Sequence, residues 1–215
     1  MRPRCAVCRS EALRIPNGVR KEKNAMPLTM LDPNTALIVV DLQQGIVSGQ
    51  FIHPIGEIVE RTRALIDAFH AHSLPVVLVN VAGRAPGRTE QGPRASLNYA
   101  EGWAELLPEL NQQPADITVT KHSWGAFATT DLEALLKARG VTQVVITGVA
   151  TSVGVEATAR QAYEQGFNVT LALDAMTDFR EMAHEYSIRN VFPRVGETGT
   201  AQQIISLLEQ GRNAG

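Results

Sequence analysis

The sequence predicts an α/β fold: a three-layer α/β/α sandwich with a mostly parallel, Rossmann-like central sheet. Three observations carry this expectation. Short runs rich in valine and isoleucine recur along the chain, and continuous apolar runs of that kind suit strands buried on both faces. Amphipathic stretches at helical spacing alternate with them across short joins. At 215 residues, with 44% hydrophobic and 20% charged residues, the chain fits one ordinary domain that buries its core without staples.

The expected strands, in order, are Ala36–Val40, Val76–Asn80, Ile117–Thr120, Gln143–Val149 and Val169–Leu173. Between the first two, Ile55–His72 carries Ile55, Ile58, Leu65, Ile66 and Phe69 on one helical face. Asp131–Arg139 is expected as the next helix, opened by a capping box of Thr130 and Glu133 and closed by Gly140. A helix from Val153 to Gln165 stops at Gly166, and two more are expected over Glu181–Val191 and Thr200–Gln210. Residues 83–102 break the alternation: Arg84, Pro86, Gly87, Arg88, Gly92, Pro93 and Arg94 read as a long loop, of the kind that serves as a lid or binding element. Leu97–Leu110, with Tyr99, Trp103, Leu106 and Leu107, has the apolar content of an interface helix, or equally of one packed on its own domain.

Right-handed crossovers place the loops after the strands along one edge of such a sheet, where ligands bind. Asp41, Lys121 and residues 150–154 each follow an expected strand and should meet there. A carboxylate at a buried strand end needs a partner, or its pKa rises until it is neutral. Lys121 is the natural partner, and the pair is either catalytic or an ordinary structural ion pair. Trp124 and Phe127 come to the same edge, as pocket walls or as core filling.

Ala36–Gln44 (Ala-Leu-Ile-Val-Val-Asp-Leu-Gln-Gln), Thr120–Phe127 (Thr-Lys-His-Ser-Trp-Gly-Ala-Phe) and residues 146–160 together resemble the isochorismatase-like hydrolase superfamily. The resemblance runs over roughly Thr35–Leu208 and is most specific from Thr147 to Ala162. It implies catalytic positions at Asp41, Lys121 and Gly154, the glycine standing where most relatives carry a nucleophilic cysteine. It implies substrate contacts at Gln43, Arg84, Trp124, Phe127, Val149, Ala150, Thr151 and Val153, and a cis peptide at Val149–Ala150. Thr151, Glu156, Thr158, Ala159 and Ala162 look like the cysteine-hydrolase branch, whereas Gly154 looks like true isochorismatases, which also have a glycine there. Those enzymes cleave a vinyl ether, which needs a proton donor and no nucleophilic side chain. The expected activity is therefore hydrolysis of a small, carboxylated molecule with Asp41 as general acid and Lys121 as its partner. A non-catalytic ligand-binding relative and an amide hydrolase of unusual mechanism are the alternatives. Two departures count against isochorismate itself: Gly83 stands where true isochorismatases have a substrate-binding glutamine, and Ala150-Thr151-Ser152 where they have an aromatic or histidine-containing stretch. Arg84 or Arg88 remains available to pair with a substrate carboxylate.

No cofactor is called for, and no metal: Val79-Asn80-Val81-Ala82-Gly83 lacks the ligand pair of nicotinamidase-like relatives, and His122 stands alone. A formal net charge of −2 without a basic block gives no reason to expect nucleic acid. No apolar stretch reaches the roughly 18–20 residues that span a bilayer, so no membrane partner is expected. Residues 1–31 read as a leader or a mis-assigned start, with Met26 or Met30 as the alternative start and residues 32–212 as the domain. Cys5 and Cys8 form half of a zinc motif with no second half, and free thiols outside the fold point to the cytoplasm. Family likeness implies a homodimer or homotetramer.

Overall fold

The computed structural model describes residues 28–90 and 99–213. The leader up to residue 27, with Cys5, Cys8 and Met26, lies outside the described residues, as do Gly92, Pro93, Arg94 and Leu97 of the long loop. Six parallel strands form one sheet: β1 (Thr35–Val40), β2 (Val76–Val81), β3 (Ile117–Lys121), β4 (Gln143–Val149), β5 (Asn168–Thr177) and β6 (Glu197–Gly199). Their order is β3-β2-β1-β4-β5-β6, so the winding direction reverses between β1 and β4. Loops at the carboxyl ends of these two strands diverge and leave a crevice, the usual ligand site of doubly wound sheets.

Strand alternation divides the core into two layers. Ala36, Ile38 and Val40 of β1 face a cluster with Leu132 and Leu136 of α3 (Leu132–Lys137), Ala159 and Ala162 of α4 (Glu156–Glu164), and Phe192. Leu37 and Val39 face the other layer, where Ile58, Leu65, Ile66 and Phe69 of α2 (Ile55–Ala71) meet Ala201, Ile204 and Leu208 near the C-terminus. Every residue of β1 is buried, which explains its continuous apolar run. Leu28 and Leu31 pack on the second layer, and Thr29 bonds Glu197 through its N–H at 3.0 Å and its hydroxyl at 2.7 Å. Residues 28–31, assigned to the leader from sequence, are thus held on the domain.

Several elements depart from expectation. The helix α3 opens at Leu132 without a capping box: the Thr130 hydroxyl accepts the Leu132 N–H at 3.2 Å, and Glu133 pairs instead with Lys137. A π-helical turn, Thr151–Val155, leads into α4, and another, Ser187–Val191, extends the short helix Glu181–Tyr186. β5 runs four residues beyond the expected end at Leu173, to Thr177, past a register shift opposite Ile146 and Gly148. Gly148 has φ of 112°, and a Cβ there would strike the Val40 backbone, so only glycine fits between β4 and β1.

The largest correction concerns residues 97–110. Their described part, from Tyr99, forms no α-helix and ends in one 3₁₀ turn, Pro108–Leu110. Residues 103–107 instead run antiparallel beside 42–45, with Gly45 N–H to the Trp103 carbonyl at 2.9 Å and Leu107 N–H to the Leu42 carbonyl at 3.1 Å. Leu107 and Leu110 are buried in the domain's own second layer, so these apolar residues serve its core. In the long loop, the described flanks 83–90 and 99–102 form no helix.

Candidate active site

Asp41 leaves β1 in a left-handed conformation, φ 54°, which aspartate tolerates better than most residues. The turn aims its carboxylate across the end of β2 toward Lys121, the last residue of β3. Lys121 Nζ donates to Asp41 Oδ2 at 2.8 Å and to the Ser123 carbonyl at 3.2 Å. Asp41 is 6% exposed and Lys121 1%. Asp41 Oδ1 is buried without a hydrogen-bond partner among the described residues. Burial pushes the Asp41 carboxyl up to about 6, against the attraction of the Lys121 ammonium and the hydrogen bond that it donates.

Beside this pair lies a cavity of about 190 Å³. Asp41, Lys121, Gly154, Val149, Ala150, Val153, Arg84 and Trp124 all line it, so most of the residues expected from sequence are brought together. The Val149–Ala150 peptide is cis. Two more open clefts, of about 500 and 530 Å³, are lined by neither Asp41 nor Lys121. Among the described residues, no three His, Cys, Asp or Glu side chains cluster as a metal set.

Gly154 is buried against the pair. A Cβ on it would lie 3.0 Å from Asp41 Oδ2, 3.0 Å from Val40 Cγ1 and 3.1 Å from the Val149 carbonyl oxygen. A Cβ here would fit only if the acid, Val40 or the Val149 carbonyl gave way by a few tenths of an ångström.

Three expected substrate contacts lie elsewhere. Phe127, 4% exposed, points into the first core layer and packs on Phe167 at 5.9 Å between ring centroids. Its backbone is drawn inward, because its N–H donates to Gln161 Oε1 at 3.0 Å. Gln43 is fully buried and tied to backbone: its Oε1 accepts the Val81 N–H at 2.7 Å, and its Nε2 donates to the Val81 and Trp103 carbonyls, each at 3.1 Å. It fixes two cavity walls without lining the cavity. Thr151 turns away as well, its hydroxyl 2.8 Å from His184 Nδ1.

Sequence reasoning missed other parts of the lining. Phe179, just past β5, is a wall residue stacked on Phe51 at 4.5 Å. Tyr99 and Trp103, stacked at 3.9 Å, form another wall, whereas their segment's apolar content suggested a helix at an interface or on its own domain. Phe179 gave no usable signal, because the expected strand ended at Leu173 and only the longer β5, to Thr177, carries Phe179 to this edge.

Fold and site together define a doubly wound α/β protein with a small-molecule pocket built on a buried carboxyl–ammonium pair. The chain belongs to the isochorismatase family of hydrolases, whose isochorismatase domain model matches residues 35–203. It is 38% identical over 177 residues to the uncharacterized isochorismatase family protein YwoC of Bacillus subtilis, covering 80% of this chain and 92% of that one. An isochorismatase family protein of Burkholderia thailandensis superposes with a TM-score of 0.79 at 38% identity, covering 84% of this chain and 98% of the other. Ureidoacrylate amidohydrolase RutB of Pseudomonas savastanoi pv. phaseolicola is 29% identical over 200 residues, covering 77% of this chain and 81% of that enzyme.

Proposed function

We propose that this protein hydrolyses the vinyl-ether bond of a small carboxylated molecule, with Asp41 as general acid and Lys121 as the partner that orients it. The observation that carries the reading is Asp41 Oδ1, buried without a partner among the described residues beside a cavity, on a carboxyl whose pKa is pushed up to about 6. Such a group is protonated below about pH 6, well above the ordinary carboxyl range, and can donate its proton there. Gly154, at the position where the family resemblance puts a cysteine, offers no nucleophile, so the reaction must run through water.

In the proposed step, Asp41 Oδ1–H protonates the terminal vinyl carbon and the former double bond becomes an oxocarbenium ion. Water adds to the cationic carbon. The resulting hemiketal breaks its bond to the ether oxygen, releasing an alcohol and a ketone, and the proton shed by the water returns to Asp41. Lys121 holds Oδ2 throughout, which leaves Oδ1 as the donor. Arg84, exposed at the cavity mouth, is the group that would pair with the substrate carboxylate.

One test is pyruvate release from isochorismate by the full chain and by Asp41→Asn. Release by the parent alone is expected; equal release by the variant removes Asp41 as the acid, and none from the parent removes this substrate. The likeness to RutB, an amidohydrolase by name, favours a second reading, in which the Asp41 carboxylate activates water against an amide. Ammonia released from carboxamides by the unmodified protein would select it.

A further inference from the structure

The turn of residues 150–154, which lines the cavity through Ala150, Val153 and Gly154 and lies against Asp41, is held from behind by a group outside the cavity. Asp178 follows the end of β5 and is 2% exposed. Its Oδ2 accepts the Ser152 N–H at 2.7 Å, and its Oδ1 accepts the Arg180 N–H at 3.1 Å. Its backbone carbonyl accepts the Ile52 N–H at 2.9 Å, next to Phe51, whose ring stacks on the wall residue Phe179. One residue thus ties together the cis-peptide turn, the Phe179 wall and the 51–53 segment. A short N–H bond to a carboxylate is among the stronger hydrogen bonds a buried turn can make. Nearby, the Thr151 hydroxyl meets His184 Nδ1 at 2.8 Å, and the Ser187 hydroxyl donates to Glu156 Oε2 at 2.6 Å. The same short helix and its π turn therefore brace the 150–156 segment along its length.

We infer that Asp178 is a positioning residue for this site: its carboxylate sets the placement of the Ala150–Gly154 turn against Asp41. This rests on the cavity being where substrate reacts. Asparagine at 178 keeps the shape and can still accept one N–H, but turns an NH₂ toward the other. Alanine keeps neither bond.

The test uses the ¹⁵N-labelled full chain and two readouts. In Asp178→Asn, the Ser152 amide proton should move upfield, and the Ala150 and Gly154 amides should shift with it. With isochorismate, kcat should fall about tenfold while KM stays within about twofold, as expected when groups are displaced by a fraction of an ångström. Asp178→Ala should lose more of both signals. Unmoved Ala150 and Gly154 amides overturn the inference, as does a loss of activity that only tracks the folded fraction. If the parent releases no pyruvate, isochorismate is removed as the substrate, and the amide shifts still decide the role of Asp178.

Discussion

Lys121 Nζ sits 2.8 Å from one oxygen of Asp41 and leaves the other buried without a partner among the described residues. The asymmetry divides the work of one carboxyl. Oδ2 is held by the ammonium, and Oδ1 is the oxygen on which a proton can reside. Desolvation outweighs the attraction of the lysine, so the pKa rises although the cation is in direct contact.

This sets the pH dependence. The protonated acid is the working form, so kcat/KM on a vinyl ether should fall as pH rises through about 6. Lys121→Met removes the interaction that lowers the pKa. The descending limb should then move to higher pH, as read from the pH–rate profile. A limb that moves to lower pH, or stays fixed, argues against Asp41 as the acid.

The same shift acts on stability. Asp41 binds its proton more tightly when folded, at about 6, than at its ordinary 3.8. Its burial is therefore fully penalised above about pH 6 and relieved as pH falls toward 3.8. Across that window the parent should gain up to about 3 kcal/mol relative to Asp41→Asn. Denaturant unfolding of both proteins at several pH values measures the difference. A gap that does not change with pH would mean that Asp41 is not titrating there.

Gly154→Ala weighs helix propensity against space. Alanine gains about 0.5–1 kcal/mol over glycine in a helical turn, whereas overpacking typically costs about 1–3 kcal/mol. With contacts of 3.0 Å to Asp41 Oδ2 and 3.0 Å to Val40, the second effect should win and Tm should drop. Gly154→Cys meets the same obstruction, so it should yield a less stable protein and no amidase. Ammonia release by that variant would show that the turn can move aside.

Trp124 and Phe127, only three residues apart, should behave oppositely. Trp124 is 67% exposed at the cavity, so Trp124→Ala should leave Tm nearly unchanged and raise KM. Phe127 is in the core, and Phe127→Ala should cost about 3–5 kcal/mol. Thermal melts beside steady-state kinetics separate the two.

The sequence by itself determined the layered α/β fold, five of the six strands and the edge where the site lies. A strand buried on both faces, such as β1, is a continuous apolar run, and a charge directly after it, as at Asp41, has few places to go. Local pattern carries that information. Tertiary structure alone decided the rest, because the deciding partners are far apart in the chain. The antiparallel run of 103–107 depends on residues 42–45, which overrides the apolar content that reads as a helix. Whether Phe127 or Trp124 faces the cavity depends on Gln161, which pulls the Phe127 backbone inward. Gln43 became an internal tie because Val81 and Trp103 present backbone groups that only a buried carboxamide can satisfy together. Asp178 gave no local sign at all, since its role rests on an amide 26 residues earlier that reaches it only after β4 and β5 pair.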